Sequence, residues 1–103
     1  MLPCRGEIWL ADLGMIGKVR PVLIVSVSPG DFDRDLVSIV PRTTKLRGTA
    51  YEVPHGGRGF DPGGFEIQNI AGLSVVKCLR RIGVVDGETL GRVEDALRAW
   101  LGL

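Results

Sequence analysis

Alternating apolar and polar residues predict several short β-strands in the first four-fifths of the chain. Residues 7–13 alternate and predict a first strand with one buried face. Residues 22–25 are continuously apolar, which predicts a central strand buried on both faces that begins at Pro21. Further strands are expected at residues 36–40, 49–53, 65–68 and 75–85. Glycine-rich residues 55–64 are expected to form a flexible loop that leaves His55 solvated.

After Val85 the apolar spacing changes to three or four residues, which predicts one C-terminal helix with a single apolar face. Asp86 is the expected N-cap, and Gly102 marks the expected end. The pattern predicts a mainly β fold with a C-terminal α-helix, in which a small antiparallel sheet bends nearly into a barrel. The 103 residues are expected to form a single domain, residues 1–103.

Composition and charge limit how the protein could bind nucleic acid and argue against a membrane protein. The net charge is only +1, so any contact with nucleic acid must come from a local basic patch. A core of this size is modest, and burial at a dimer interface would add to it. No apolar run approaches 18 residues and the N-terminus lacks a signal pattern, so we expect a cytoplasmic protein without a membrane span. Cys4 and Cys78 are expected to be free thiols.

The common catalytic signatures are missing from the sequence. It has neither an HExxH nor a paired CxxC motif, and the three aspartates of residues 31–35 follow a Pro-Gly turn typical of a solvated loop. We therefore expect no metal and no cofactor. His55 is the only histidine, which excludes a pair of histidines acting as acid and base within one chain.

Polar side chains at the ends of two apolar strands are the remaining candidates for chemistry. Arg20 stands directly before Pro21, and Thr43 and Thr44 follow the strand at residues 36–40. Strand ends beside loops often carry functional sites. Taken singly, Arg20 is better explained by a surface salt bridge, and Thr43 by the role of a β-branched turn residue.

Four ordered blocks of sequence resemble the MazF/PemK toxin family. They are residues 5–13 (RGEIWLADL), 17–26 (GKVRPVLIVS), 40–48 (VPRTTKLRG) and 51–53 (YEV). Gln68 falls where the family has a "DQV"-type segment, and residues 84–101 resemble its closing helix. The likeness spans nearly the whole chain in the correct order. The short loop at residues 14–18, Glu66 and Asn69 depart from the family pattern, which affects the expected cleavage sequence more than the chemistry.

The resemblance implies an SH3-like barrel of the CcdB/PemK/MazF toxin fold, assembled as a homodimer that cuts single-stranded RNA at specific sequences. Arg20 and Thr43 match the family's catalytic arginine and threonine. The implied products are a 2′,3′-cyclic phosphate and a 5′-hydroxyl, formed without a metal. Cleavage of mRNA would stop translation and growth until an antitoxin covers the RNA groove with a flexible, acidic C-terminal segment.

Elementary chemistry is consistent with these roles. RNA supplies its own nucleophile, the 2′-OH, so the enzyme must position it and stabilise the charge that develops on the phosphate. The forked, permanently cationic guanidinium of Arg20 suits this task, with proton donation to the leaving 5′-oxygen as a second role. The residues expected to bind RNA are Lys18, Thr44, Lys45, Arg47 and Gln68, with Arg42 as a further member of the basic rim. Trp9 and Trp100 are expected in the core or an interface.

Two alternatives remain open. A CcdB-type gyrase poison would share the fold, and CcdB toxins end in Trp-Gly-Ile, but this chain ends Trp100-Leu101-Gly102-Leu103. The presence of both Arg20-Pro21 and Thr43-Thr44 favours the nuclease. A non-catalytic SH3-like binding module would bind RNA or a peptide and leave RNA intact.

Overall fold

The computed structural model describes residues 1–14 and 19–103. In these ranges the chain forms seven strands and a C-terminal helix, in the order β1 (Glu7–Asp12), β2 (Val19–Ile24), β3 (Leu36–Thr43), β4 (Glu52–Gly57), β5 (Phe60–Glu66), β6 (Ala71–Ser74), β7 (Cys78–Val84) and α1 (Gly87–Leu101). Single 3₁₀ turns at Ile67–Asn69 and Val75–Lys77 precede β6 and β7. The predicted mainly β fold with a C-terminal helix is confirmed.

The strands form one curled antiparallel sheet in the order β4-β5-β3-β2-β1-β7, and β6 pairs with β3 outside this path. Strand β3 is the pivot of the sheet. Its first half pairs with β6, whereas Arg42 and Thr43 at its end pair with Phe65 and Gly64 of β5. Strand β3 is therefore shared by two pairings along its length, with β6 at its beginning and with β5 at its end.

Two apolar clusters lie on opposite faces of the central strands. One gathers Ile8, Leu23 and Val40 beneath α1, whose Val93 is fully buried. The other gathers a second set from the same three strands: Trp9, Ala11, Val22, Ile24, Val37 and Ile39. The expectation that β1 has one buried face is therefore wrong. Both faces of β1 are covered, because Ile8 belongs to the cluster beneath α1 and Trp9 belongs to the other cluster. Strand β2 is buried on both faces as predicted, and Trp9 is a core residue as predicted.

The predicted flexible loop at residues 55–64 is instead a β-hairpin of β4 and β5, with His55 opposite Gly63. The glycines here allow close packing. A Cβ on Gly63 would collide with the Thr43 carbonyl, and one on Gly64 would lie 2.5 Å from the Val53 carbonyl oxygen. The composition typical of a loop thus reflects strands that pack backbone to backbone.

The helix follows its sequence signals. The Asp86 carboxylate accepts a hydrogen bond from the Thr89 N–H at 2.7 Å, and Gly102 ends the helix in the left-handed region at φ 73°. Trp100, near the end of the helix, is 41 % exposed. No helix in the described ranges is long and apolar enough to cross a membrane.

Candidate active site

Strand register places Arg20 and Thr43 on one face of the sheet. Val22 pairs with Pro41 in the β2–β3 ladder, and extending this antiparallel register by two residues sets Arg20 opposite Thr43. Alternation carries both side chains to the face where Val22 is buried. The two residues implied by the resemblance therefore lie together where the neighbouring strands β2 and β3 meet at one end of the sheet.

The Arg20 guanidinium is held by two partners and stays accessible. Its Nη2 donates to the Arg42 carbonyl oxygen at 3.0 Å and lies 3.4 Å from Glu66 Oε1. Arg42 directly precedes Thr43, so the first contact holds the guanidinium beside the threonine. In the part of the chain that the structure describes, both contacts use Nη2, and the side chain is 36 % exposed. The Nε and Nη1 groups can therefore face a bound anion.

The Thr43 hydroxyl is oriented by its own loop. Its Oγ1 accepts a hydrogen bond from the Lys45 N–H at 3.0 Å. A hydroxyl that accepts through one lone pair keeps its own proton for donation. Thr43 can therefore donate to a phosphate oxygen on the face that it shares with Arg20.

A polar groove of about 500 Å³ adjoins this face. Three residues predicted to bind RNA, Lys45, Arg47 and Gln68, line it together with Glu66. The remaining lining residues are Thr49, Tyr51, Glu52, Asn69 and Trp100. Because Glu66 also contacts Arg20, the groove and the arginine form one continuous site.

Glu52 orders the loop that carries Arg47. Its carboxylate accepts hydrogen bonds from the backbone N–H groups of Arg47 and Thr49 at 2.9 and 3.0 Å. These backbone bonds lower the pKa of Glu52, since they stabilise the charged form. The basic rim of the groove thus has a fixed backbone, from which exposed cationic side chains extend.

The structure does not bring every predicted RNA-binding residue into this groove. Thr44 lines a separate, more apolar depression with Leu46, His55 and Pro62, because its side chain points the opposite way from that of Thr43. Lys18 lies outside the described residues.

Arg42 is not part of the basic rim, so that expectation is wrong. Arg42 is only 5 % exposed, and its guanidinium donates to His55 Nδ1 at 2.9 Å, to the His55 carbonyl at 2.7 Å and to the Asp61 carbonyl. It also lies 5.1 Å from the centre of the Phe60 ring. Alternation accounts for the difference, because Arg42 shares the inward face of β3 with Val40.

His55 is likewise not a solvated loop residue. Its ring packs between Phe60 and Phe65, with ring centres 5.1 and 5.0 Å away. Burial lowers the pKa of His55, as does the charge of Arg42, whereas Asp86 opposes the shift. The neutral ring accepts from Arg42 and joins β3 to the β4–β5 hairpin.

Sequence reasoning missed Glu66 and Asn69 as site residues and treated them only as departures from a family pattern. Glu66 Oε2 accepts a hydrogen bond from Asn69 Nδ2 at 2.9 Å while Oε1 faces Arg20. The available signal was Glu66's position next to the apolar Phe65 at a strand end, which turns it to the opposite face. Across residues 1–14 and 19–103, no three His, Cys, Asp or Glu side chains group as a metal site would require.

Comparison with known proteins places this geometry in a family. A sequence profile described as "PemK-like, MazF-like toxin of type II toxin-antitoxin system" matches residues 4–101. The chain is 32 % identical over 89 residues to a probable endoribonuclease MazF5 of Mycobacterium tuberculosis, covering 80 % of this chain and 77 % of that protein.

Solved structures agree with the profile. An endoribonuclease in complex with its cognate antitoxin, from a mycobacterial species, is 30 % identical, with a TM-score of 0.85 over 98 % of this chain and 96 % of that one. The MazE–MazF complex of Deinococcus radiodurans (Form-II), at 19 % identity, shares the fold with a TM-score of 0.85 over 100 % of this chain and 98 % of that one. With a matching profile across almost every residue, and Arg20 and Thr43 on one face of the matching fold, the chain belongs to the PemK/MazF family of toxins of type II toxin–antitoxin systems.

Proposed function

We propose that this chain, an endoribonuclease of the PemK/MazF toxins, cuts single-stranded RNA at specific sequences by metal-independent attack of the ribose 2′-OH. One observation supports this most directly: Arg20, Thr43 and Glu66 meet on one face of the sheet beside a groove with a cationic rim. This arrangement offers a guanidinium, a hydroxyl donor and a carboxylate to a single phosphodiester.

In the proposed reaction the 2′-oxygen attacks phosphorus as the bond from phosphorus to the 5′-oxygen breaks. Arg20 and Thr43 donate to the non-bridging oxygens, where negative charge grows. The products are a 2′,3′-cyclic phosphate and a 5′-hydroxyl. DNA lacks the 2′-OH and is left intact.

Glu66 is the best-placed acceptor for the 2′-OH proton. Its carboxylate is held between Arg20 and Asn69, at 3.4 and 2.9 Å, and lines the groove through which RNA would reach Arg20. The leaving 5′-oxygen gains a proton from Arg20, and the proton that Glu66 has taken from the 2′-OH returns to Arg20 across their 3.4 Å contact, so that both groups regain their charges. Glu66→Gln would remove the acceptor and slow cleavage.

Groove cations supply the contacts to the RNA backbone. Lys45 and Arg47 bind phosphates at the rim, and Gln68 offers its amide to a base. Lys18 is proposed as a further phosphate contact on its charge alone, whereas Thr44 faces the other depression and is not assigned a contact with RNA. This surface also suits an antitoxin's flexible, acidic segment, which would compete with RNA for the same cations.

Assembly as a homodimer completes the proposal. Leu36 and Val76 are 47 % and 75 % exposed, and both lie at the end of the sheet where Leu36 pairs with Ser74. Exposed apolar side chains on a small domain favour burial against a second copy. The proposed place of action is the cytoplasm, where mRNA is translated.

A matched pair of threonine variants tests the site. In EDTA, Thr43→Val should lower the rate of cleavage of a single-stranded RNA by about 10²–10³-fold, because one preorganised donor is lost. Thr44→Val, on the adjacent residue that points into another depression, should keep most of the activity. Intact RNA after incubation with the wild-type protein would contradict the nuclease and favour a binding module. Inhibition of gyrase in a plasmid-relaxation assay would favour the poison.

A further inference from the structure

The groove beside Arg20 has an aromatic end that the cleavage chemistry does not use. The Trp100 ring, near the C-terminal end of α1, packs against Tyr51 with ring centres 5.2 Å apart at 58°. Trp100 is 41 % exposed although it belongs to the helix whose apolar face covers the core. Trp100 also lines the groove.

We propose that this groove is a nucleobase subsite that binds one base next to the scissile phosphate, with Trp100 as its stacking wall and Asn69 as the reader of the base edge. The inference rests on the proposed ribonuclease function and adds to it the residues that select the cleavage sequence.

The polar wall of the subsite carries a donor and an acceptor. Asn69 Nδ2 gives one N–H to Glu66 Oε2 at 2.9 Å. Among residues 1–14 and 19–103, the amide's Oδ1 atom and second N–H make no other hydrogen bond, so both can bind another partner. Unpaired RNA bases are recognised by this kind of bond to their edges, together with stacking on an aromatic ring.

The subsite is preformed. The Ile67 N–H donates to the Tyr51 carbonyl at 2.9 Å, which ties the aromatic wall to the turn that carries Asn69. Its volume, about 500 Å³, lies in the range of small-molecule sites, roughly 300–1,000 Å³. A base can therefore enter without prior rearrangement of either wall.

One carboxylate links the subsite to the site of cleavage. Glu66 touches Asn69 with one oxygen and Arg20 with the other, so the base edge and the phosphate lie on two sides of a single side chain. A base bound at Asn69 therefore belongs to a nucleotide close to the phosphate held by Arg20. Correct base binding would align the 2′-OH with Glu66 and the phosphorus.

The test uses a single-stranded RNA oligonucleotide that carries a mapped cut site, and copies with an abasic nucleotide at each of the three positions on either side. Trp100→Ala should lower kcat/KM on the intact oligonucleotide by on the order of 5–100-fold, because base stacking is lost. One abasic position should give a similar loss with the wild-type protein and no further loss with Trp100→Ala. Leu101→Ala, an exposed neighbour outside the groove, is the matched control and should cleave normally.

Asn69→Ala distinguishes hydrogen bonding to the base edge from stacking on the base. It should flatten the base preference at that one position, whereas Trp100→Ala should weaken cleavage for all four bases there. Wild-type rates with Trp100→Ala, or losses that multiply with every abasic position, would overturn the subsite.

Binding of a 2′-O-methyl oligonucleotide of the same sequence gives a readout that does not need cleavage. It should quench the fluorescence of Trp100, and Trp100→Phe should remove that change because the remaining Trp9 is buried. If the unmodified RNA oligonucleotide stays uncut while the 2′-O-methyl oligonucleotide still quenches Trp100, the proposed function is wrong and the subsite is supported. Cleavage without any quench would sink the subsite alone.

Discussion

Arg20 and Arg42 stand near the ends of neighbouring strands of one sheet, and the protein uses them in opposite ways. Arg20 is partly exposed, and its described contacts all use Nη2. Arg42 is 5 % exposed, and three acceptors and an aromatic ring surround its guanidinium. One arginine is available to a ligand, and the other joins β3 to the β4–β5 hairpin.

The difference comes from strand alternation. The two arginines lie nearly opposite each other in the extended β2–β3 register, and one residue step along β3 decides which face a side chain takes. Arg20 shares its face with Thr43, whereas Arg42 shares its face with the apolar cluster around Val40. Variants of the two arginines should therefore fail in different assays, one in catalysis and the other in folding.

The largest expected effect is on catalysis at Arg20. Arg20→Gln should lower the single-turnover rate of RNA cleavage by about 10³-fold, since it removes the charge that stabilises the transition state. The free energy of unfolding should change by less than about 1 kcal/mol, because the ion pair with Glu66 is partly exposed. Arg20→Lys should recover part of the rate, because it keeps the charge and loses the fork. Full activity in Arg20→Gln would remove the site assignment.

Arg42→Leu should show the reverse pattern. Three partly buried acceptors would lose their donor, so urea denaturation should show a free energy of unfolding lower by about 2–4 kcal/mol. The cleavage rate per folded molecule should stay close to that of the wild type. A stable Arg42→Leu protein that no longer cuts RNA would mean that Arg42 contacts the substrate.

Local signals account for the parts of the fold that the sequence predicted. Asp86 and Gly102 each act through their own backbone neighbours, so the ends of the helix were readable. Residues 22–25 are all apolar, so the sequence alone indicates that this strand is buried. The positions of Arg20 and Thr43 at strand ends were also visible, and the resemblance supplied their roles.

Non-local packing accounts for the rest. The glycines of residues 55–64 were interpreted as a loop because nothing nearby in sequence shows that β3 packs against Gly63. Burial of Arg42 depends on His55 and Asp61, which are 13 and 19 residues away in sequence. The contact between Glu66 and Arg20 joins residues 46 apart. Such pairings depend on sheet register, which local patterns do not specify.

Gly63→Ala should affect both folding and catalysis, because its new methyl group would collide with the carbonyl of Thr43. We expect the free energy of unfolding to fall by about 1–3 kcal/mol, as in other overpacked sites. Displacement of Thr43 should also slow cleavage by the molecules that remain folded. Gly72→Ala is the matched control: that strand glycine has nothing within 4 Å of an added Cβ, so its melting temperature should match the wild type. Equal melting temperatures for the two variants would show that β3 and β5 can separate without cost.

The smallest expected effect is a pH dependence of stability at His55. Burial and the charge of Arg42 lower the pKa of His55, so the folded state favours the neutral ring. Stability from this group is therefore complete above the unfolded pKa, about 6.5, and is lost as the pH falls toward the lower folded pKa. The slope cannot exceed about 1.4 kcal/mol per pH unit for one proton.

Urea denaturation between pH 7.5 and 5 isolates this contribution. The carboxyls of Glu7, Glu52 and Asp86 have lowered pKa values, so their stabilising effect is lost only at more acidic pH. His55→Phe cannot accept a proton, and its stability should be nearly flat over the same range. It should also be lower at pH 7.5, because Arg42 Nε loses its acceptor. An equal slope in the wild type and His55→Phe would assign the pH dependence to another group and leave Arg42 fixed by the backbone carbonyls of His55 and Asp61 alone.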